Sequence, residues 1–139
     1  MIEIFYKKDG QMMVSQSEAS LTEISYDSVV WIDLFSPSGE EKRAVETYLG
    51  TTIQNRAQAE EIEISSRFSE TEQAIFANTS FLIPGPEEYG EETVSFILKD
   101  NILTTLRESP LKSFTDLQRR LMAFPKMYDS GHVAFLSIL

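Results

Sequence analysis

Three parts of the chain alternate apolar and polar residues with the two-residue period of a β-strand. The first covers residues 2–14 and has Asp9 and Gly10 near its centre. The second covers residues 65–83, around the polar stretch SETE, and the third covers residues 94–106, around Asp100-Asn101. Because short pairs of Asp, Asn and Gly favour tight turns, the pattern predicts three β-hairpins.

A continuous apolar run, VVWIDLF at Val29–Phe35, interrupts this alternation. Its β-branched residues and its single charge are typical of a strand that is buried on both faces. Ser38 follows, with Glu41 at the position that completes a capping box, and apolar residues then recur at helical spacing up to Gly50. Gly50 predicts a left-handed end to this helix. A buried strand followed by a capped amphipathic helix indicates an α/β fold.

Helical spacing returns near the end of the chain, in the stretch SPLKSFTDLQRRLMAF. The apolar positions at this spacing are Phe114, Leu117, Leu121 and Phe124. Arg119 and Arg120 are predicted to point outward, and Pro125 to end the helix. A last apolar helix is predicted from about Gly131, with Asp129 or Ser130 as its cap.

The middle of the chain is more polar. Asn55 and Gln58 fit the start of a second, short helix, after which Ile62 and Ile64 show strand periodicity. Pro84–Glu92, rich in proline, glycine and glutamate, is predicted to be a solvated loop or a wide turn. Together the elements predict an α/β/α sandwich whose mixed parallel and antiparallel sheet has about six or seven strands.

Composition narrows the possible functions. The 139 residues include 22 acidic and 12 basic side chains, giving a net charge of −10, so the chain is repelled by nucleic-acid phosphates and anionic lipid surfaces. With no cysteine, thiolate metal sites and thiol nucleophiles are excluded. His132 is the single histidine and has no second histidine with which to share a metal. No catalytic residue is predicted, and we expect a water-soluble chain without a signal peptide.

The acidic stretch AQAEEIEISSRF contains Glu60, Glu61 and Glu63 within four positions. Glu60 and Glu63 would share a face if the helix continued, whereas Glu61 and Glu63 would share one if a strand had begun. Magnesium binds carboxylate oxygens, retains several waters and needs no fixed spacing of its ligands. The residues therefore permit either a weak cation site or a solvated face beside a buried apolar stripe.

Several stretches together resemble the cytoplasmic part of CorA-type magnesium transporters. VWIDLFSPSGEEKRAVETYLG is similar to the family's opening strand and helix, and EEIEISSRF to a segment of its proteobacterial-like branch. VSFILKDNILTTLRE resembles the hairpin that follows, FTDLQRRL the helix after it, and SGHVAFLSIL the beginning of a long helix. The resemblance covers about residues 29–139, in the order and spacing of the family.

The resemblance implies a homopentamer of membrane-anchored subunits that carries magnesium or cobalt. Each subunit would have an N-terminal cytoplasmic α/β domain, a stalk helix and two membrane helices with a Gly-Met-Asn pore motif. The cytoplasmic domain would sense cation through acidic residues between neighbouring subunits, and bound cation would hold the pore closed. In this sequence residues 1–125 would form that domain and residues 126–139 the start of the stalk helix. We expect this chain to be a piece of a longer protein that lies on the cytoplasmic face of the membrane and cannot itself transport ions.

The sequence departs from the family pattern at the sensing site. The position that is usually acidic falls on Gln58, whose amide offers only a weak carbonyl ligand. The metal-binding role would then shift to Glu60 and Glu61, with magnesium as a weakly held ion that folding does not require. Two other functions stay open: a stand-alone acidic interaction module that binds a protein partner without metal, and a small hydrolase that uses the carboxylates.

Overall fold

The computed structural model describes residues 1–53, 68–70, 74–84, 89–128 and 130–138. The strands are β1 (Ile2–Lys8), β2 (Gln11–Ser15), β3 (Val29–Phe35), β4 (Phe68–Glu70), β5 (Ala74–Pro84), β6 (Tyr89–Lys99) and β7 (Ile102–Arg107). The helices within these ranges are α1 (Gly39–Leu49), α2 (Lys112–Ala123) and α3 (Gly131–Ile138). Short 3-10 turns at Glu18–Thr22 and Tyr26–Ser28 connect β2 to β3, and another lies at Pro125–Met127.

The seven strands form one sheet in the order β2-β1-β3-β7-β6-β5-β4. Strands β3 and β7 pair in parallel, with Trp31 opposite Leu103, and every other neighbouring pair is antiparallel. The parallel pair lies in the middle of the sheet, where both strands are buried almost throughout. The predicted mixed sheet of six or seven strands is therefore confirmed.

Helices cover both faces of the sheet. On one face α1 contributes Val45 and Leu49 to an apolar cluster with strand residues such as Ile32. On the other face α2 and α3 pack against a second cluster that includes Trp31 and Phe114. Burial of these two clusters supplies the main driving force for the fold. The α/β/α sandwich predicted from the sequence is confirmed.

A β-bulge in β3 changes which side chains reach each face. Phe5 of β1 pairs with Trp31, but the next residue, Tyr6, pairs with Val29, so Val30 has no opposite partner. A bulge of this kind breaks the alternation of side chains along a strand. As a result Val30 and Trp31 both join the cluster beneath α2, where the Trp31 ring stacks on Phe5 at 5.0 Å.

Most of the predicted turns and caps are present. Ser38 Oγ accepts from the Glu41 amide, the Glu41 carboxylate accepts from the Ser38 amide, and Gly50 ends α1 at φ 71°. The turns of the first and third predicted hairpins adopt positive φ, at Asp9-Gly10 and at Asp100-Asn101, as two-residue turns between twisted strands require.

Three predictions of local structure differ from the structure in part. The predicted hairpin around SETE is confirmed as the antiparallel pair β4 and β5, but Ser69 and Glu70 lie within β4 and not in its turn. In the predicted loop or wide turn Pro84–Glu92, Pro84 and Tyr89–Glu92 are strand residues: Pro84 pairs with Tyr89, so strands β5 and β6 extend into it from both sides. Phe124 lies outside the core with 56% of its surface exposed, because α2 ends at Ala123 and the chain turns away.

Candidate functional site

The predicted metal ligands Glu60 and Glu61 lie outside the described residues, as do Gln58 and Glu63. The short helix predicted from Asn55 lies outside them too, and so does the side chain of His132. Within the described ranges no three Asp, Glu or His side chains come together in a group able to hold a metal ion. The helices that the structure describes are all too short or too polar to cross a bilayer. The acidic site of the sequence analysis therefore stays a prediction.

The structure does describe how the chain leaves α1 toward that segment. The ammonium of Lys99, only 9% exposed, donates to the Leu49 carbonyl at the end of the helix. The Glu46 carboxylate accepts from the Ile53 amide at 3.2 Å. A cation at a helix C-terminus interacts favourably with the negative end of the helix dipole. Its N–H groups can also donate to a carbonyl that has no partner within the helix. The end of α1 is thus fixed to the sheet at Leu49, and the chain is fixed to α1 at Ile53, before the predicted acidic stretch.

A buried ion pair lies at the end of the parallel strand pair. Asp33 of β3 is 1% exposed and Arg107 of β7 is 6% exposed. The Arg107 Nη2 atom lies 2.8 Å from Asp33 Oδ2, and its Nε donates to both carboxylate oxygens at 3.2 and 3.3 Å. Side chains at these positions meet because β3 and β7 run in parallel and the two residues lie on the same face, beneath α2.

Neighbouring groups satisfy the rest of this pair. Thr105 Oγ1 donates to Asp33 Oδ1 at 2.8 Å and accepts from the Trp31 indole at 3.0 Å. The Arg107 guanidinium also donates to the Ser109 carbonyl and lies 5.0 Å from the centre of the Phe114 ring. A buried ion pair contributes to stability only when its remaining donors and acceptors are paired in this way.

Glu92 is a second buried carboxylate, 3% exposed, in a stretch that the sequence analysis placed in a solvated loop. Its Oε1 accepts from the Glu108 amide and its Oε2 from Ser109 Oγ at 3.3 Å. Glu108 in turn accepts from Ser36 Oγ at 2.9 Å. These bonds hold the segment between β7 and α2, including the Ser109 carbonyl that Arg107 contacts.

Two tyrosines attach the 3-10 turns before β3 to the rest of the domain. The Tyr26 hydroxyl donates to Asp100 in the β6–β7 turn at 2.9 Å, and the Tyr48 hydroxyl donates to the Ile24 carbonyl at 3.1 Å. Burial, followed by the Asp100 hydrogen bond, raises the pKa of Tyr26 above its ordinary range. Burial and then the charge of Asp27 raise the pKa of Tyr48. Both phenols therefore act as neutral donors.

The buried charged groups described above have structural roles. Arg107 is occupied by Asp33, and Glu92 accepts from two donors, so in the described part of the chain these buried charges are paired with protein groups. Sequence analysis did not identify this network. Two features of the sequence could have indicated it: the single charge inside VVWIDLF and the arginine that ends the strand TTLR. Both occupy positions where an exposed side chain is not expected, and a buried charge requires a partner.

The sequence is similar to that of known proteins along most of its length. A family model described as "CorA-like Mg2+ transporter protein" matches residues 26–138. "Magnesium transport protein CorA" of Wolinella succinogenes is 31% identical over 137 residues, which are 95% of this chain and 43% of that protein. The chain therefore spans less than half the length of this relative.

Solved structures have the same fold. The full-length CmaX protein superposes with a TM-score of 0.67 at 10% identity, covering 99% of this chain and 43% of its own. The soluble domain of CorA from Methanocaldococcus jannaschii superposes with a TM-score of 0.65 at 16% identity, covering 99% of this chain and 55% of its own. At these identities the likeness establishes the architecture alone.

Proposed function

The chain belongs to the CorA-like Mg2+ transporter family, and from that premise we propose that it is the cytoplasmic regulatory domain of a magnesium and cobalt transporter. The observation that carries the proposal is the family match over residues 26–138, which takes in the strands β3 to β7 and the helices α1, α2 and α3. Family membership makes a transporter part a better hypothesis than an enzyme.

In this proposal the domain senses magnesium between neighbouring subunits. Glu60 and Glu61 supply carboxylate oxygens on one side of the contact, and the neighbouring subunit supplies the others. Two acidic surfaces repel each other at close range, and a divalent cation between them removes that repulsion. Cation binding would then favour the closed assembly, and loss of cation would release the domains.

The anchoring of α1 supports this proposal. Lys99 of β6 holds the end of α1 at Leu49 against the sheet, and Glu46 of α1 holds the chain at Ile53 against the helix. A sensing segment that starts from a fixed point can pass a change in its own position to the domain, whereas one that starts from a free loop cannot. Residues 1–125 would form the sensing domain and residues 126–139 the first part of the stalk helix, on the cytoplasmic face of the membrane.

Magnesium-dependent association tests the proposal. Sedimentation velocity of the chain in millimolar magnesium, compared with EDTA at equal ionic strength, should show stronger self-association with the cation. The double variant E60A/E61A should lose the magnesium effect but keep its melting temperature, because both side chains are predicted to be exposed. The matched control E87A/E88A removes the same charge from a different polar stretch and should keep the effect.

Three results would contradict this model. Binding of magnesium by the monomer at micromolar concentration in calorimetry would show a complete site within one copy. Equal association with and without magnesium would instead favour a stand-alone interaction module that needs no metal. A large fall in the melting temperature of E60A/E61A would show that the two glutamates belong to a buried network.

A further inference from the structure

The turn between β6 and β7 is bonded to three separate parts of the chain. Each of three successive residues takes part in one of these hydrogen bonds, and we call them the junction: Lys99, Asp100 and Asn101. The Lys99 ammonium donates to the Leu49 carbonyl at the end of α1. The Asp100 carboxylate accepts from the Tyr26 hydroxyl at 2.9 Å. The Asn101 carbonyl accepts from the Gly131 amide, where α3 begins.

These contacts connect helices that lie on opposite faces of the sheet. Helix α1 packs into the apolar cluster on one face through Leu49, and α3 contributes Ala134 to the cluster on the other face. Strands β6 and β7 are both interior strands, so the turn that joins them lies at the end of the sheet, between its two helical layers. A side-chain bond from Lys99 and a main-chain bond to Asn101, two residues further on, thus link the two layers.

The turn is too short and too constrained for these contacts to move independently. Lys99 pairs with Ile102 in the strand ladder, so the turn outside the ladder consists of Asp100 and Asn101. Both have positive φ, 51° and 70°, a conformation that few residues other than glycine adopt and that two-residue hairpin turns require. A change in the backbone at Lys99 therefore shifts the Asn101 carbonyl, to which α3 is bonded.

The Lys99 ammonium is the part of the junction that can be released. It is 9% exposed, and burial of a charged group is costly unless the group is hydrogen-bonded. The carbonyl at the negative end of α1 offsets this cost. If the end of α1 moves away, the ammonium loses this acceptor and must move toward water, which displaces the start of the turn. The Tyr26 ring, 5.2 Å from the ring of Tyr48, gives α1 a second connection to the junction.

We propose that the junction couples the end of α1 to the start of α3, so that α3 is held firmly against the sheet only while Lys99 is bonded to α1. The inference rests on the proposed function for its purpose, because the predicted acidic stretch follows α1 and residues 126–139 are predicted to begin the stalk helix. A cation-dependent shift of that stretch would then reach α3 through three residues of one turn. The coupling itself is a property of a single copy and requires no cation.

Hydrogen exchange of the chain in EDTA, at a concentration where it is monomeric, tests this coupling. K99M keeps most of the side-chain stem but removes the charge, and the amides of α3 should exchange about tenfold faster than in the wild type. K99R keeps a cation that can reach the Leu49 carbonyl and should restore most of the protection. Y26F removes only the hydrogen bond to Asp100 and should accelerate exchange in α3 about threefold, so it serves as a second variant if K99M does not fold.

The matched control is S38A, which loosens α1 at the end that is distant in sequence from Leu49. It removes the Oγ that accepts from the Glu41 amide, and loss of such a cap lowers helix stability. Exchange in the first turn of α1 should then increase, while α3 stays as protected as in the wild type. Amides of β3 report unfolding of the whole domain, so an effect on α3 supports the coupling only where it exceeds the effect on β3.

The proposal is overturned if α3 is as protected in K99M and Y26F as in the wild type, or if exchange rises equally in α3 and β3. It is also overturned if S38A affects α3 as strongly as K99M does, or if K99R protects α3 no better than K99M. Because EDTA removes the cation and Glu60 and Glu61 are unchanged, these outcomes are independent of the magnesium experiment. Failure of cation sensing leaves the coupling in place, and failure of the coupling leaves sensing to be judged from self-association.

Discussion

At the scale of single residues, the most constrained part of the molecule is the pair formed by Asp33 and Arg107. Both side chains are almost fully buried, and Thr105, Trp31 and Ser109 complete their hydrogen bonding. Transferring two charges into the interior costs several kcal/mol for each, and the paired geometry offsets this cost. The network thus fixes the positions of β3, β7 and the start of α2 relative to one another, more than it raises stability.

Removing one member of the pair should be far more damaging than removing both. R107M should lower the free energy of unfolding by about 3–5 kcal/mol, because it leaves the Asp33 carboxylate buried without its cation. D33L should cost a similar amount. The double variant D33L/R107M should cost clearly less than the sum of the two single variants. Chemical denaturation of the four proteins measures this cycle, and additive costs would show that the two residues do not interact.

The capping box of α1 should make stability depend on pH on the acid side. Burial alone would raise the pKa of Glu41, but the hydrogen bond from the Ser38 amide and the N-terminal ammonium outweigh it, so the pKa lies below its ordinary value. A lowered carboxyl pKa contributes stability that is complete above the unfolded pKa and is lost as pH falls through the folded pKa. Melting temperatures of E41Q between neutral pH and pH 3 should show a smaller acid-side fall than the wild type. E40Q, which removes a charge from the same turn without touching the capping box, should keep the full fall.

At the scale of elements, the β6–β7 turn connects parts that are distant in sequence. Tyr26 donates to Asp100 in this turn, and the Gly131 amide donates to the Asn101 carbonyl as α3 begins. A side chain at Gly131 would collide with the backbone, because a Cβ there would lie 2.2 Å from the Leu103 amide nitrogen. Helix α3 therefore starts against the sheet only because this residue is glycine.

Substitution of this glycine should displace α3. G131A should lower the free energy of unfolding by about 1–3 kcal/mol, the usual cost of forcing an atom into a packed site. Hydrogen exchange should then increase in α3 and in the β6–β7 turn more than in α1. The matched control is G39A at the start of α1, where a Cβ would meet nothing within 4 Å, and it should change stability little. Equal effects of the two substitutions would show that the close approach of α3 to β7 has no energetic importance.

At the scale of the whole molecule, the protein is a sheet covered by helices on both faces, with a large excess of negative charge. The apolar clusters on the two faces are separate, and the charges described above lie either in paired buried networks or on the surface. A net charge of −10 on a domain of this size disfavours the compact state through self-repulsion.

Screening of this charge should stabilise the fold. Raising sodium chloride from low concentration to about 0.3 M shortens the distance over which the charges interact, and the melting temperature should rise. Magnesium at equal ionic strength separates screening from specific binding: a further rise with magnesium, absent in E60A/E61A, would identify the predicted site. A melting temperature that falls with salt would show that attractive pairs outweigh the repulsion.

Local patterns predicted the elements best where one signal dominated. The apolar run of β3, the capping box at Ser38 and Glu41 and the turn at Asp100-Asn101 were all confirmed, since each is decided by residues close in sequence. The failures at Pro84–Glu92 and Phe124 have the opposite cause. Strand pairing across the β5–β6 hairpin and the end of α2 depend on partners that composition does not specify.

The features of the candidate site, too, separate into those set by the local sequence and those set by contacts between distant residues. The sequence by itself determined the class of fold, the excess of acidic charge and the absence of thiol chemistry, because these follow from composition and from short-range periodicity. Only the tertiary structure decided that Asp33 meets Arg107 and that Glu92 is buried. Each of these depends on contacts between residues far apart in the chain, and such contacts exist only after the sheet has brought β3, β6 and β7 together.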